Sequence, residues 1–152
     1  RHRLRISYTN TSPSDAWPAG KYKNRMRIYL PFGSKVARVL WGENEITNSS
    51  QNFVDYGRLG VSMLLELLPK ESKTLVLDYE LAGKITFADN EAGYKIDIVK
   101  QAGLGEDPFE WSLSFPLHYK LVSKEGSSIS PQELIISTDL SKDRSFEVGF
   151  RK

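Results

Sequence analysis

The chain has 152 residues, with 21 Lys and Arg against 19 Asp and Glu, a formal net charge of +2. That length fits one domain able to bury a core without metal or disulfide staples, and a content of 39% hydrophobic and 26% charged residues excludes disorder, collagen and coiled coil. The small total conceals an asymmetry, because residues 1–41 carry nine basic residues and one acid, +8, whereas residues 42–152 carry twelve basic and eighteen acidic, −6.

Period-two alternation dominates the chain and predicts strands. Leu4, Ile6 and Tyr8 alternate with Arg3, Arg5 and Ser7, and Met26, Ile28 and Leu30 alternate with Arg25, Arg27 and Tyr29 until Pro31 ends the run. Val36 to Trp41 is a short apolar stretch stopped by Gly42. Ser62 to Leu68 is composed of good helix formers, but Gly60 and Pro69 leave no room for three turns, so a strand is expected. Leu75, Leu77, Tyr79 and Leu81 make the cleanest half-buried alternation. Tyr94–Ile98, Phe109–Phe115, Leu117–Val122, Leu134–Ser137 and Phe146–Phe150 complete nine or ten predicted strands. Pro13, Pro18, Pro31, Pro69, Pro108, Pro116 and Pro131 all fall between the runs or at their ends, as befits a residue that cannot donate to a sheet ladder. Many short strands without βαβ alternation predict an all-β fold, a single antiparallel β-sandwich of Ig-like or fibronectin-like type over residues 1–152.

Cysteine is absent, which removes disulfides, thiolate metal sites and thiol nucleophiles together. The densest apolar stretch, Val61 to Leu68, is far short of the roughly 20 residues that span a bilayer. The chain opens on Arg1, with strand patterning from Leu4 to Phe150, and is read as a domain of a longer protein.

Several segments together resemble a known domain. They are Ser7-Tyr-Thr-Asn10, Arg27-Ile-Tyr-Leu-Pro31, Leu68-Pro-Lys-Glu-Ser-Lys-Thr-Leu75 leading into Asp78-Tyr-Glu-Leu81, Val99-Lys-Gln-Ala-Gly103, and Asp143-Arg-Ser-Phe-Glu-Val148. The order is similar to the C-terminal β-sandwich of a bacterial family of large, membrane-anchored, exported proteins of unknown function. The resemblance covers nearly the whole chain and rests on strand ends and turns. Ala102 stands where that family often has Pro. The resemblance implies an extracellular or cell-surface location, attachment to membrane only through a region outside these residues, and a scaffold or binding role with no catalytic residue to carry over.

Tests for chemistry agree with a non-catalytic reading. Only His2 and His118 could serve as an imidazole base, no Gly-x-Ser-x-Gly elbow exists, and His118 is expected beside Lys120 on the polar face of a strand. A pair of carboxylates could hydrolyse glycosides, yet Asp78 and Glu80 read as solvated strand positions. Asp89-Asn-Glu91, Glu106-Asp107, and Asp139 with Asp143 offer oxygen ligands for calcium, but at turns that Asp and Asn favour for backbone reasons. No catalytic residue, metal ligand or cofactor is therefore expected. A Lys–Asn isopeptide staple lacks an inward Asn on the closing strand.

The arginines stand out. Arg3 and Arg5 share one face of the first strand, and Arg25 and Arg27, with Lys23 in phase, share one face of the second. If these strands pair, four or five cations form one surface that suits a cell-wall polymer or another polyanion, unless acids such as Asp78 and Glu80 interleave. Nucleic acid is not expected, because no exposed aromatic residues accompany these cations. Trp111 and Trp41 are expected in or over the core, whereas Trp17, in a loop with Tyr22 close behind, either folds back over the end of the core, the expected arrangement, or meets a partner. The expected function is a structural or protein-interaction module contacting the rest of its parent chain or another surface protein, with cell-wall glycan or polyanion binding as the alternative and a two-carboxylate hydrolase behind both.

Overall fold

The computed structural model of the protein describes residues 1–100, 105–123, 127–130 and 132–152. Pro131 and Gln101 to Gly103 of the segment quoted above lie outside the described residues. The fold is all-β and antiparallel, and its strands exceed the nine or ten expected. They are β1 (His2–Thr9), β2 (Tyr22–Pro31), β3 (Lys35–Trp41), β4 (Asn44–Glu45), β5 (Gln51–Asp55), β6 (Arg58–Leu67), β7 (Ser72–Glu80), β8 (Glu91–Ile98), β9 (Pro108–Ser114), β10 (Lys120–Ser123), β11 (Ser127–Ser130), β12 (Glu133–Asp139) and β13 (Arg144–Arg151).

Where the sequence predicts one core for residues 1–152, the strands gather into two compact units, Arg1–Lys84 and Ile85–Lys152, each with its own core. The first contains a sheet ordered β1-β7-β3-β4 and a sheet ordered β2-β6-β5. Alternation decides what lies between them: Leu4, Ile6 and Tyr8 of β1, Val39 and Trp41 of β3, and Leu75 and Leu77 of β7 meet Ile28 and Leu30 of β2 and Val61, Met63, Leu65 and Leu67 of β6. Burying side chains of this kind contributes about 1.5–3 kcal/mol each. Trp41 caps this core as expected, donating its indole N–H across to the carbonyl of Glu66 at 3.2 Å.

Asn10 closes one end of this sandwich. Its side-chain amide donates to the carbonyls of Gly20 (2.9 Å) and Leu67 (3.2 Å), and its Oδ1 accepts from the N–H of Ser12 (3.1 Å). Its backbone N–H donates to Glu71 (2.9 Å) and its carbonyl accepts from Lys70 (2.8 Å). A buried Asn with its donors and acceptor all satisfied fixes the start of the loop after β1, where a bare polar group would cost stability.

The second unit packs a sheet ordered β10-β13-β8 and a sheet ordered β11-β12-β9 around one apolar cluster. Trp111 is in this cluster, as expected, stacked between Tyr94 (ring centroids 5.9 Å apart) and Phe146 (6.0 Å). Asp89 and Asn90, with φ of 49° and 66°, form a two-residue turn in which Ala88 and Glu91 exchange both backbone hydrogen bonds. This is the backbone role such residues serve in tight hairpins. One local expectation needs correction. Leu117 and His118 lie in a turn that Pro116 imposes, and the strand begins only at Lys120. The polar Gln51–Asp55 segment, with no clear alternation, is strand β5, paired to β6.

Candidate anion-binding face

The two arginine pairs do not share a surface. β1 pairs with β7 and β2 pairs with β6, in different sheets, so the expected single patch of Arg3, Arg5, Arg25 and Arg27 is replaced by two outward faces on opposite sides of the first sandwich. The physical reason is the core: Leu4 and Ile6 on β1 and Met26 and Ile28 on β2 face each other across it, which turns both arginine sets outward.

On the outer face of β1-β7-β3 all the arginines but Arg5 are paired with acids. Arg3 stands opposite Asp78 and clamps it with two hydrogen bonds, Nε to Oδ1 at 2.6 Å and a terminal nitrogen to Oδ2 at 2.9 Å. Arg38 on β3 approaches the same carboxylate at 3.8 Å, and Arg1 reaches Glu80 at 3.1 Å. Asp78 is therefore held below the ordinary carboxylate range, chiefly by the Arg3 hydrogen bond. Asp78 and Glu80 are the interleaving acids that the sequence suggests, and neither acts as a solvated bystander. Farther along, hydroxyls replace charges: Ser7 faces Thr74 at 3.2 Å and Thr9 faces Ser72 at 2.9 Å. Arg5, opposite Val76, has no ion-pair partner among the described residues.

The outer face of β2-β6-β5 is built differently. Its rows run Lys23–Glu66, Arg25–Leu64, Arg27–Ser62–Gln51, Tyr29–Gly60–Phe53 and Pro31–Arg58–Asp55. At one end Glu66 takes both Lys21 (3.4 Å) and Lys23 (3.3 Å), and these lysines lower its pKa, Lys23 foremost. In the middle no acid intervenes. Arg25 donates to the neutral Oε1 of Gln51 at 3.0 Å, a strap that crosses β6. Arg27 has no hydrogen-bond or ion-pair partner among the described residues. Beneath the strap lies Ser62, only 5% exposed, whose Oγ is buried without a hydrogen-bond partner. Its hydroxyl therefore has hydrogen-bonding capacity that no protein group takes up, at the base of a cationic surface. Arg25, Ser49, Gln51, Ser62, Met63 and Leu64 line a depression of about 140 Å³ at this point.

One register step away the chemistry becomes aromatic. Gly60 has no side chain, and a Cβ there would lie 2.3 Å from Phe53 Cζ, so the Phe53 ring rests directly on the β6 backbone. Tyr29 meets that ring edge-on, with centroids 5.9 Å apart, and its hydroxyl donates to Asp55 Oδ2 at 3.4 Å.

Of the sequence-predicted site residues, then, Arg25 and Arg27 share this face, while Arg3 and Arg5 lie on the other sheet. Trp17 does not fold back over the core: it is 92% exposed in the loop between β1 and β2. The ring that covers that end is Tyr8, edge-on to Trp41 at 5.7 Å and tilted against Tyr22 at 6.3 Å, which leaves Trp17 nothing to cover. Tyr22 is half-exposed. Sequence reasoning missed Gln51, Phe53, Gly60 and Ser62. The one available signal was the polar–small pattern Gly60-Val-Ser62 within an otherwise apolar strand.

Two of the acids considered for calcium, Asp139 and Asp143, have protein partners. Asp139 accepts from the Ser141 N–H (2.8 Å), the Ser141 hydroxyl and Arg144 (2.6 Å), which hold its pKa down to about 2, and Asp143 accepts from the Lys100 N–H at 2.8 Å. Among the described residues no group of three or more His, Asp or Glu could hold a metal ion. No protein-family model matches the chain, and neither a curated protein nor a solved structure does.

Proposed function

We propose that the chain is a non-catalytic interaction module of a bacterial exported or cell-surface protein, and that the outer face of β2-β6-β5 is where it meets an anionic partner such as a cell-wall polymer. The observation that carries the reading is the central row of that face, where Arg27 stands unpaired among the described residues beside a buried hydroxyl with no protein hydrogen-bond partner. A guanidinium without a carboxylate offers its fork of donors to an incoming oxyanion. The attraction weakens with salt as exposed charges are screened over about 8–10 Å.

Binding to immobilised polyphosphate, followed as salt is raised, tests this. Retention is expected at low ionic strength, with loss in Arg25→Ala/Arg27→Ala and no change in Arg3→Ala, whose arginine is already bound by Asp78. Retention that ignores salt, or that falls equally in Arg3→Ala, defeats the proposal. The exposure of Trp17 favours a second contact, with the remainder of the parent chain or another surface protein, because large exposed aromatics are the usual anchors of protein interfaces. Protection of Trp17 from iodide quenching when such a partner is added would register it.

A further inference from the structure

We infer that the anionic partner of the β2-β6-β5 face is an acidic glycan, a polymer of carboxylate-bearing pyranose rings. One sugar ring lies against Phe53 and Tyr29, and its carboxylate enters the Arg27–Ser62–Gln51 row. The inference rests on the proposed function and names the ligand class for the same site.

Three observations carry it. First, the face joins two kinds of recognition in adjacent rows. Tyr29–Gly60–Phe53 and Arg27–Ser62–Gln51 are two residues apart along each strand, about 6.6 Å at the usual strand rise. A simple anion needs only the second row. A pyranose ring carrying a carboxylate uses both, since its C–H face packs on an aromatic ring while its charged group reaches the neighbouring row. Second, the aromatic row is fixed before any ligand arrives. Gly60 lets Phe53 lie flat on the sheet, Tyr29 braces it edge-on, and Asp55 holds the Tyr29 hydroxyl. On the far side of the aromatic row from Arg27, Asp55 stands opposite Arg58, so that end carries balanced charge and the unbalanced cations lie at the Arg27 end. Third, Ser62 Oγ has no partner, and the strap over it is a single hydrogen bond between an exposed arginine and a neutral amide. Such a bond is worth little net in water. When a carboxylate arrives, Arg25 exchanges Gln51 for the stronger charge-assisted contact, the depression opens, and the Ser62 hydroxyl donates to the second carboxylate oxygen.

Calorimetry with short oligogalacturonates, neutral dextran oligomers and polyphosphate distinguishes the possibilities. The wild-type protein is expected to bind oligogalacturonate, and not dextran, with affinity lowered about tenfold or more in Arg27→Ala and in Phe53→Ala, and less in Ser62→Ala. Ser62→Ala removes only an unsatisfied hydroxyl and so keeps the fold, which separates lost contact from lost structure. Polyphosphate binding that depends on Arg27 and ignores Phe53, with no oligogalacturonate binding, overturns the glycan assignment and leaves the anionic partner standing. Failure of both anions to bind overturns both.

Discussion

Every second residue from Arg1 into β1 as far as Arg5 is a cation, as is every second residue of β2 from Lys23 to Arg27, yet the outer faces they enter differ in how those cations are met. What separates them is the central strand. β7 brings Asp78 and Glu80 into register with Arg3 and Arg1, whereas β6 brings Leu64 and Ser62 to Arg25 and Arg27. Charge on one strand therefore says little until its partner is known, because cross-strand neighbours decide whether it is neutralised. The closed face ties Arg1, Arg3 and Arg38 to acids of its own sheet and leaves Arg5 beside Val76, whereas the middle of the open face holds two arginines and no acid.

Gly60→Val attacks the open face most severely. A side chain there collides with the Phe53 ring at 2.3 Å, so chemical denaturation should show a loss of about 1–3 kcal/mol from overpacking, and the aromatic row should disperse. Ser62→Asp should convert the open face into a copy of the closed one by placing an acid beside Arg27. Affinity for an anionic polymer is then expected to fall about tenfold, with unchanged retention sinking the comparison. Asp78→Ala is the reverse experiment. It frees Arg3 and Arg38 and should give a salt-sensitive gain in polyanion binding of about two- to threefold, the modest return expected of screened surface charges. The smallest effect is in pH. Because Asp78 is more acidic folded than unfolded, its contribution is complete above the unfolded value of about 3.9 and is lost as pH falls through the lowered folded value. The difference in melting temperature between wild type and Asp78→Asn should accordingly be constant from neutrality down to about pH 5 and vanish in stronger acid.

Much of the architecture was legible in the residues. Ser62-Met-Leu-Leu-Glu-Leu-Leu68 could be read as strand because Gly60 and Pro69 bounded it, Trp111 could be placed by phase, and Trp41 by its position at the end of a strand. The short strands escaped for a physical reason: Gln51–Asp55 lies at a sheet edge, where only one side of the backbone is paired and the side chains need not alternate. The division into two cores escaped because alternation reports which face of a strand is buried and not against which sheet. Half of the candidate site was visible for the same reason. Arg25 and Arg27 announced themselves by charge, but a buried serine and a glycine beneath a phenylalanine acquire meaning only from register. Trp17 was misjudged because Tyr8, which occupies the end of the core, looked in the sequence like any other inward strand residue.

Register has a mechanical consequence in the first unit. His2 lies opposite Tyr79 and Thr9 opposite Ser72, so the start of β1 and the exit of β7 leave from the same end of the ladder. Tension applied between Arg1 and Lys84 therefore loads the rungs one after another, beginning where the His2 and Tyr79 rings stack at 5.2 Å, in the manner of a zip drawn open. Asn10 stands just beyond the last rung, bonded to the β6–β7 connection and to the end of β6, and is the stop that such a pull would finally have to break.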